Sequence, residues 1–203
     1  MNGEREETTA TDREIVPATE GSGPLLQRDY WAVIAGSRLG PREVVDLVAK
    51  RFPDFPPASL VQFRLADGCE PPLEVGDELE IDIKLAGQCG VRVVHRDANS
   101  ITLGTLEGHP EAGRITFGAY RNERGDVVFH IRSRARASKL TRYVEFLAGG
   151  DPMQTNTWVD FINALAMTVG SGVVDGIRVE QTEVDDEAAD ADPCSPTFVA
   201  RGE

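Results

Sequence analysis

The sequence predicts an α+β fold in which a curved antiparallel β-sheet grips a long C-terminal helix. Three observations predict it. Leu79, Ile81, Ile83 and Leu85 alternate with Glu80, Asp82 and Lys84, the mark of a strand with one dry and one wet face. Further strand-like runs follow at short spacing, and consecutive strands joined by short loops form an antiparallel sheet. A late helical stretch places Trp158, Phe161 or Ile162, Leu165 and Val169 on one stripe. A sheet with a single apolar face needs such a cover.

The elements follow in order. Tyr30-Trp-Ala-Val-Ile-Ala35 is rich in aromatic and β-branched residues and reads as a first strand. Pro41 suits the first position of a helix whose stripe is Val44, Val45, Leu47, Val48 and Phe52. Pro53, Pro56 and Pro57 end it. Ser59 to Leu65 is extended, and the alternating strand around Ile81 comes next. Val91 to His95 and then Ile101 and Leu103 continue the meander. Ile115, Phe117 and Ala119 share a face on the following strand. Asn122-Glu-Arg-Gly125 is a hairpin loop with glycine in its left-handed position. On the last long strand Val127, Phe129, Ile131 and Ser133 form one face, and His130, Arg132, Arg134 and Arg136 the other. A short helix is marked by Leu140, Tyr143, Val144 and Leu147. Asp151 and Pro152 open the closing helix, and Gly170 to Gly172 stop it.

The chain has 203 residues and a formal net charge of −13, concentrated at its ends. Residues 1–24 carry two basic and six acidic side chains, and residues 180–203 carry one and eight. Such ends bury too little apolar surface to offset ordering entropy and are expected to be disordered. A pI near 4.7 is the wrong sign for a phosphate backbone, so no nucleic-acid partner is expected. Cys69, Cys89 and Cys194 are widely spaced and suit a reducing compartment. Met1-Asn-Gly-Glu-Arg-Glu-Glu7 lacks an apolar run and no run of about 18 apolar residues occurs, so neither a signal peptide nor a membrane span is expected. The expectation is a soluble cytoplasmic protein. Its oligomeric state is not legible.

Between the two central strands lies Gly104-Thr-Leu-Glu-Gly-His-Pro-Glu-Ala-Gly113. With Phe117 behind it, this stretch resembles the signature Y-G-T-L-x-G-H-P-E-x-G-E-E-x-F of the domain-of-unknown-function nineteen-ninety family. Val128-Phe-His-Ile-Arg-Ser-Arg134, Val75-Gly-Asp77 and the Gln154 region are similar to further parts of that pattern. Two departures stand out: Arg114 and Ile115 occupy the positions of the family's paired glutamates, and Leu103 that of its tyrosine. The resemblance covers roughly residues 28–170. It implies the START-like, Bet v 1-like (SRPBCC) helix-grip fold over residues 25–172, after a disordered acidic leader at 1–24 and before an acidic, largely disordered tail at 173–203. It implies no chemistry.

The candidate residues are read against plainer roles. His109-Pro-Glu111 matches half of a zinc-deaminase motif, but no P-C-x-x-C completes the metal site. His95, His109 and His130 fall on three separate segments, so no metal is expected. His109 reads first as a turn residue bonded to backbone. An acid–base pair with Glu111 is the sharper alternative. Arg132, Arg134 and Arg136 could hold an anion. They could instead form a solvated face paired with Glu80 and Asp82. Ser133 has no histidine beside it in sequence and is not read as a nucleophile. Pockets are mostly apolar with a few polar fixtures. Thr105, His109, Glu111, Ser133, Gln154 and Trp158 are therefore the candidate ligand-binding residues, with no catalytic residue and no cofactor. The expected function is binding a small apolar or amphipathic ligand between sheet and helix. The alternatives are a cyclase- or hydrolase-type enzyme using the same cavity, and a structural or interaction domain with a filled core.

Overall fold

The computed structural model describes residues 13–84, 87–138, 150–189 and 192–200, with the side chains of 150–154 outside that set. Eight strands form one antiparallel sheet: β1 Ser22–Ile34, β2 Val61–Leu65, β3 Glu78–Ile83, β4 Gly87–Arg96, β5 Ser100–Thr105, β6 Glu111–Arg121, β7 Val127–Ala137 and β8 Val173–Val184. Their spatial order is β2-β3-β4-β5-β6-β7-β1-β8. The helices are α1 Pro41–Arg51 and α2 Gly150–Val169. The α+β sheet-and-helix architecture expected from the alternation is the one observed.

Local chemistry explains the elements. The Gly40 N–H donates to the Glu43 carboxylate at 2.8 Å, and Pro41 follows at the first helical position. Val44, Val45 and Val48 are buried, so the 3.6-residue stripe faces the sheet. Along β3, Leu79 and Ile81 are buried while Glu80 is exposed. On β7, Val127, Phe129, Ile131 and Ser133 lie inward, as the alternation requires.

The core is aromatic where α2 crosses the sheet. Phe52 meets Phe63 and Phe117 edge-on at 5.2 and 5.0 Å, and Phe161 stacks on Phe129 at 6.0 Å. Phe161, Ile162 and Leu165 are fully buried. Trp158 is only half-buried, edge-on to Phe117 at 5.4 Å.

The expected domain limits need correction. Residues 173–184, expected to be disordered, form β8, which pairs antiparallel with β1. An edge strand is ordered by backbone pairing and needs little apolar surface, so a charged composition hid it. Residues 13–24 are likewise not a loose leader. Ile15 bridges to Leu106, the Val16 N–H donates to the Thr105 carbonyl at 2.8 Å, and β1 starts at Ser22, well before Tyr30. Residues 1–12 and the short helix expected around Leu140–Leu147 lie outside the described residues.

The C-terminal segment 192–200 returns across the outer sheet face. The Thr197 N–H donates to Thr116 Oγ1 at 2.9 Å, and Thr197 Oγ1 donates to the Arg132 carbonyl at 3.0 Å. Phe198 stacks on the His130 ring at 4.6 Å. It lies over Gly118, where a Cβ would come within 2.9 Å of its ring.

Candidate functional site

The inner sheet face changes character along its length. From the aromatic cluster it continues through Ile115 and Ile131, then turns polar. Register sets this end. Ser133 on β7 lies between Ile115 of β6 and Arg28 of β1, and Arg28 lies opposite Gln181 of β8. Arg28 alternates inward with Tyr30, Ala32 and Ile34, so a guanidinium stands where the pattern places an apolar side chain.

Arg28 is 2% exposed. Its Nη1 lies 3.3 Å from Glu111 Oε1, and its Nε donates to Gln181 Oε1 at 3.0 Å. An ion pair taken out of water forfeits hydration, and its attraction seldom more than repays that cost. Such a pair on an apolar face marks a functional candidate better than a stabilising one.

Glu111 is held there by the Gly-rich turn. Gly108 has φ +87°. Gly113 has φ +148°, and a Cβ on it would lie 2.2 Å from the Arg134 carbonyl oxygen, so only glycine fits. The Gly113 N–H donates to Thr105 Oγ1 at 3.0 Å, and the same hydroxyl lies 3.0 Å from the Val16 carbonyl. The Glu111 N–H donates to His109 Nδ1 at 3.0 Å.

The six candidate residues therefore separate. Glu111 and Ser133 are linked through Arg28, Glu111 as its ion-pair partner and Ser133 as its register partner on β7. Thr105 ties the turn to the N-terminal segment. His109 meets Glu111 through its main chain, while the carboxylate reaches Arg28. Trp158 belongs to the edge of the aromatic cluster. Gln154 lies on α2, and its side chain is outside the described set. Sequence reading missed Arg28 and Gln181. Arg28 was detectable, two residues before the first inward aromatic. Gln181 was not, because its strand read as tail.

The outer face of β7 is ion-paired, though not with Glu80 and Asp82. Asp29 on β1 accepts from His130 Nε2 and from Arg132 Nε, the latter at 2.6 Å. Arg134 Nε donates to Gln27 at 2.8 Å, and Arg136 pairs with Asp186 at 2.6 Å. Register explains this, since β1 and not β3 is the neighbour of β7. Burial pushes the Asp29 carboxyl up, but the hydrogen bonds from His130 and Arg132 outweigh it and leave the group below its usual range. Burial lowers both Arg114 and Arg134, which lie opposite each other on β6 and β7; repulsion from Arg134 adds to it at Arg114, and repulsion from Arg132 adds to it at Arg134. Among the described residues no three His, Cys, Asp or Glu side chains converge as a metal site. Nor is any helix of the described residues long and apolar enough to cross a membrane.

A family model, Domain of unknown function (DUF1990), matches residues 19–150. The chain belongs to this family. No curated protein sequence matches it. Solved structures similar to this DUF1990 chain include protein CV1439 from Chromobacterium violaceum, at 14% identity and TM-score 0.48 over 71% of this chain and 96% of that one. Another is norcoclaurine synthase from Thalictrum flavum with a transition-state analogue, at 14% and 0.49 over 73% and 96%. A third is major latex-like protein 151 from Panax ginseng, at 18% and 0.42 over 72% and 99%. These are likenesses of fold. The DUF1990 membership that the GTLEGHPEAG stretch implied is met by the family model, and that match carries no chemistry with it.

Proposed function

We propose that this DUF1990 domain binds a small apolar or amphipathic ligand at the polar end of the inner sheet face. The observation that supports it most is the Arg28–Glu111 pair, its guanidinium buried, set where the inner face passes from apolar to polar. Ile115, Ile131 and the half-buried Trp158 supply apolar surface, and Arg28, Glu111, Ser133 and Gln181 supply polar fixtures. That mixture suits ligand pockets, which are mostly apolar with a few oriented polar groups. An acid–base role for His109 and Glu111 gains no support from the turn, where the imidazole is engaged by the Glu111 main chain.

The filled-core reading is favoured by a different observation. Phe52, Phe63, Phe117, Phe129 and Phe161 pack ring against ring where α2 crosses the sheet. A domain packed in this way along its whole length needs no ligand.

Fluorescence separates the two. The chain has two tryptophans, and Trp31 lies opposite His130 on the outer face. In a Trp31→Phe variant, Trp158 alone reports on the interior. Saturable changes in its emission on adding an anilinonaphthalene sulfonate or a medium-chain fatty acid, weakened by Arg28→Met, support binding. An emission that no probe changes, in a protein with its normal melting profile, supports the filled core.

A further inference from the structure

Among the described residues the sheet ends on β8, and this edge is open. β8 pairs with β1 on one side, and among the described residues no strand lies on the other. Soluble proteins keep such edges short or blocked, because unpaired N–H and C=O groups are a template for further strands. The opposite edge obeys this, since β2 has five residues. β8 has twelve, and residues 178–183 are all exposed. Val179 is 43% exposed.

The edge is regular only over part of its length. Asp175 and Gly176 have φ of 56° and 81°, and the register with β1 shifts between Trp31 and Val33. This bulge interrupts the ladder. The regular part begins at Ile177.

The side chains of that part are self-complementary. Arg178 and Glu180 share the outer face, and Val179 lies between them on the inner face. Let two such strands run antiparallel about Val179. Arg178 of each copy then falls opposite Glu180 of the other, so two opposite-charge pairs form at once. Val179 meets its own counterpart, and Ile177 lies opposite Gln181. The bulge ends the ladder on both sides. Directly opposed unlike charges and β-branched pairs are the stabilising cross-strand contacts.

We propose that β8 is a self-association edge, pairing antiparallel with β8 of a second copy about Val179. An unrelated extended peptide would gain only the backbone bonds; a second copy also gains both charge pairs. The ladder is five residues long, so the contact is small against the ~1,200 Å² of stable interfaces and makes a weak, reversible dimer. The overall acidity of the chain opposes association at range. Physiological salt screens that repulsion beyond about 8 Å and leaves the contact pairs.

Sedimentation velocity of the full chain, from micromolar to near-millimolar concentration, tests this. The wild type should show a concentration-dependent monomer–dimer equilibrium. Arg178→Glu and Glu180→Arg should each raise the dissociation constant about tenfold, because each puts like charges opposite one another twice. An equimolar mixture of the two single variants should associate again, since unlike charges then face each other at both pairs. The double variant should regain wild-type association. Val179→Lys should weaken it independently of the charge pairs. All these positions are exposed, and circular dichroism should show each variant folded. A wild type that stays monomeric throughout overturns the proposal. So does a dimer that neither single variant weakens, or a mixture that fails to associate.

Discussion

The Arg28 guanidinium lies 3.3 Å from the Glu111 carboxylate, joining the inner face of β1 to the end of a glycine-rich turn. The two residues are 83 apart in the chain. Removing one partner strands a buried charge. Glu111→Leu is expected to destabilise by ~3 kcal/mol, whereas Arg28→Met with Glu111→Leu should cost clearly less than the sum of the single changes. Urea denaturation of the full double-mutant cycle checks this.

The turn that carries Glu111 depends on its glycines. Gly113→Ala should destabilise by ~2 kcal/mol or more, because its Cβ meets the Arg134 carbonyl at 2.2 Å in a backbone region that side chains avoid. Gly108→Val should cost about 1 kcal/mol through φ alone, as nothing lies within 4 Å of its Cβ position. Equal effects at the two sites would contradict the close approach at Gly113.

Burial ranks the aromatic positions on α2. Phe161→Ala, at a fully buried site, should cost ~3–5 kcal/mol. Trp158→Ala should fall at or below the lower end of that range, because the half-buried ring leaves less of a cavity. Denaturant midpoints at constant slope give both values.

Asp29 makes stability depend on pH in a definite direction. Its folded-state pKa lies below the ordinary carboxylate value because His130 and Arg132 bond to the ionised form against the opposing effect of burial. Its contribution is therefore present above the unfolded value near pH 4 and is lost as pH falls below that, through the folded value. Asp29→Asn should lower the melting temperature at pH 7, and the gap to wild type should narrow steadily on acidification below about pH 4. A gap that widens on acidification would contradict this assignment.

The chain beyond α2 contributes to the fold. A chain ending at residue 179 loses the β8 residues opposite Leu25 to Asp29, as well as the Thr197 and Phe198 contacts on the outer face. It should melt well below the full chain. A chain lacking only residues 1–12 tests the N-terminal end separately, because it keeps the Ile15–Leu106 bridge.

Local pattern carried most of the architecture. The Leu79–Ile81 alternation, the inward face from Val127 to Ser133 and the Phe161–Val169 stripe are short-range periodicities, and each of their buried faces can be read without knowing its partner. The same holds for the turn, where glycine density announced the positive φ at Gly108. The pairing of elements was not legible. That β7 neighbours β1, so that Asp29 and not Glu80 or Asp82 meets Arg132, depends on which strand closes the sheet. β8 escaped because a charged edge strand is stabilised by backbone bonds to a partner far away in sequence, and composition records side chains only. Arg28 was visible as an inward residue, but its ion pair was not. An arginine on an apolar face becomes a candidate site only when tertiary structure brings Glu111 and Gln181 to it and buries its guanidinium.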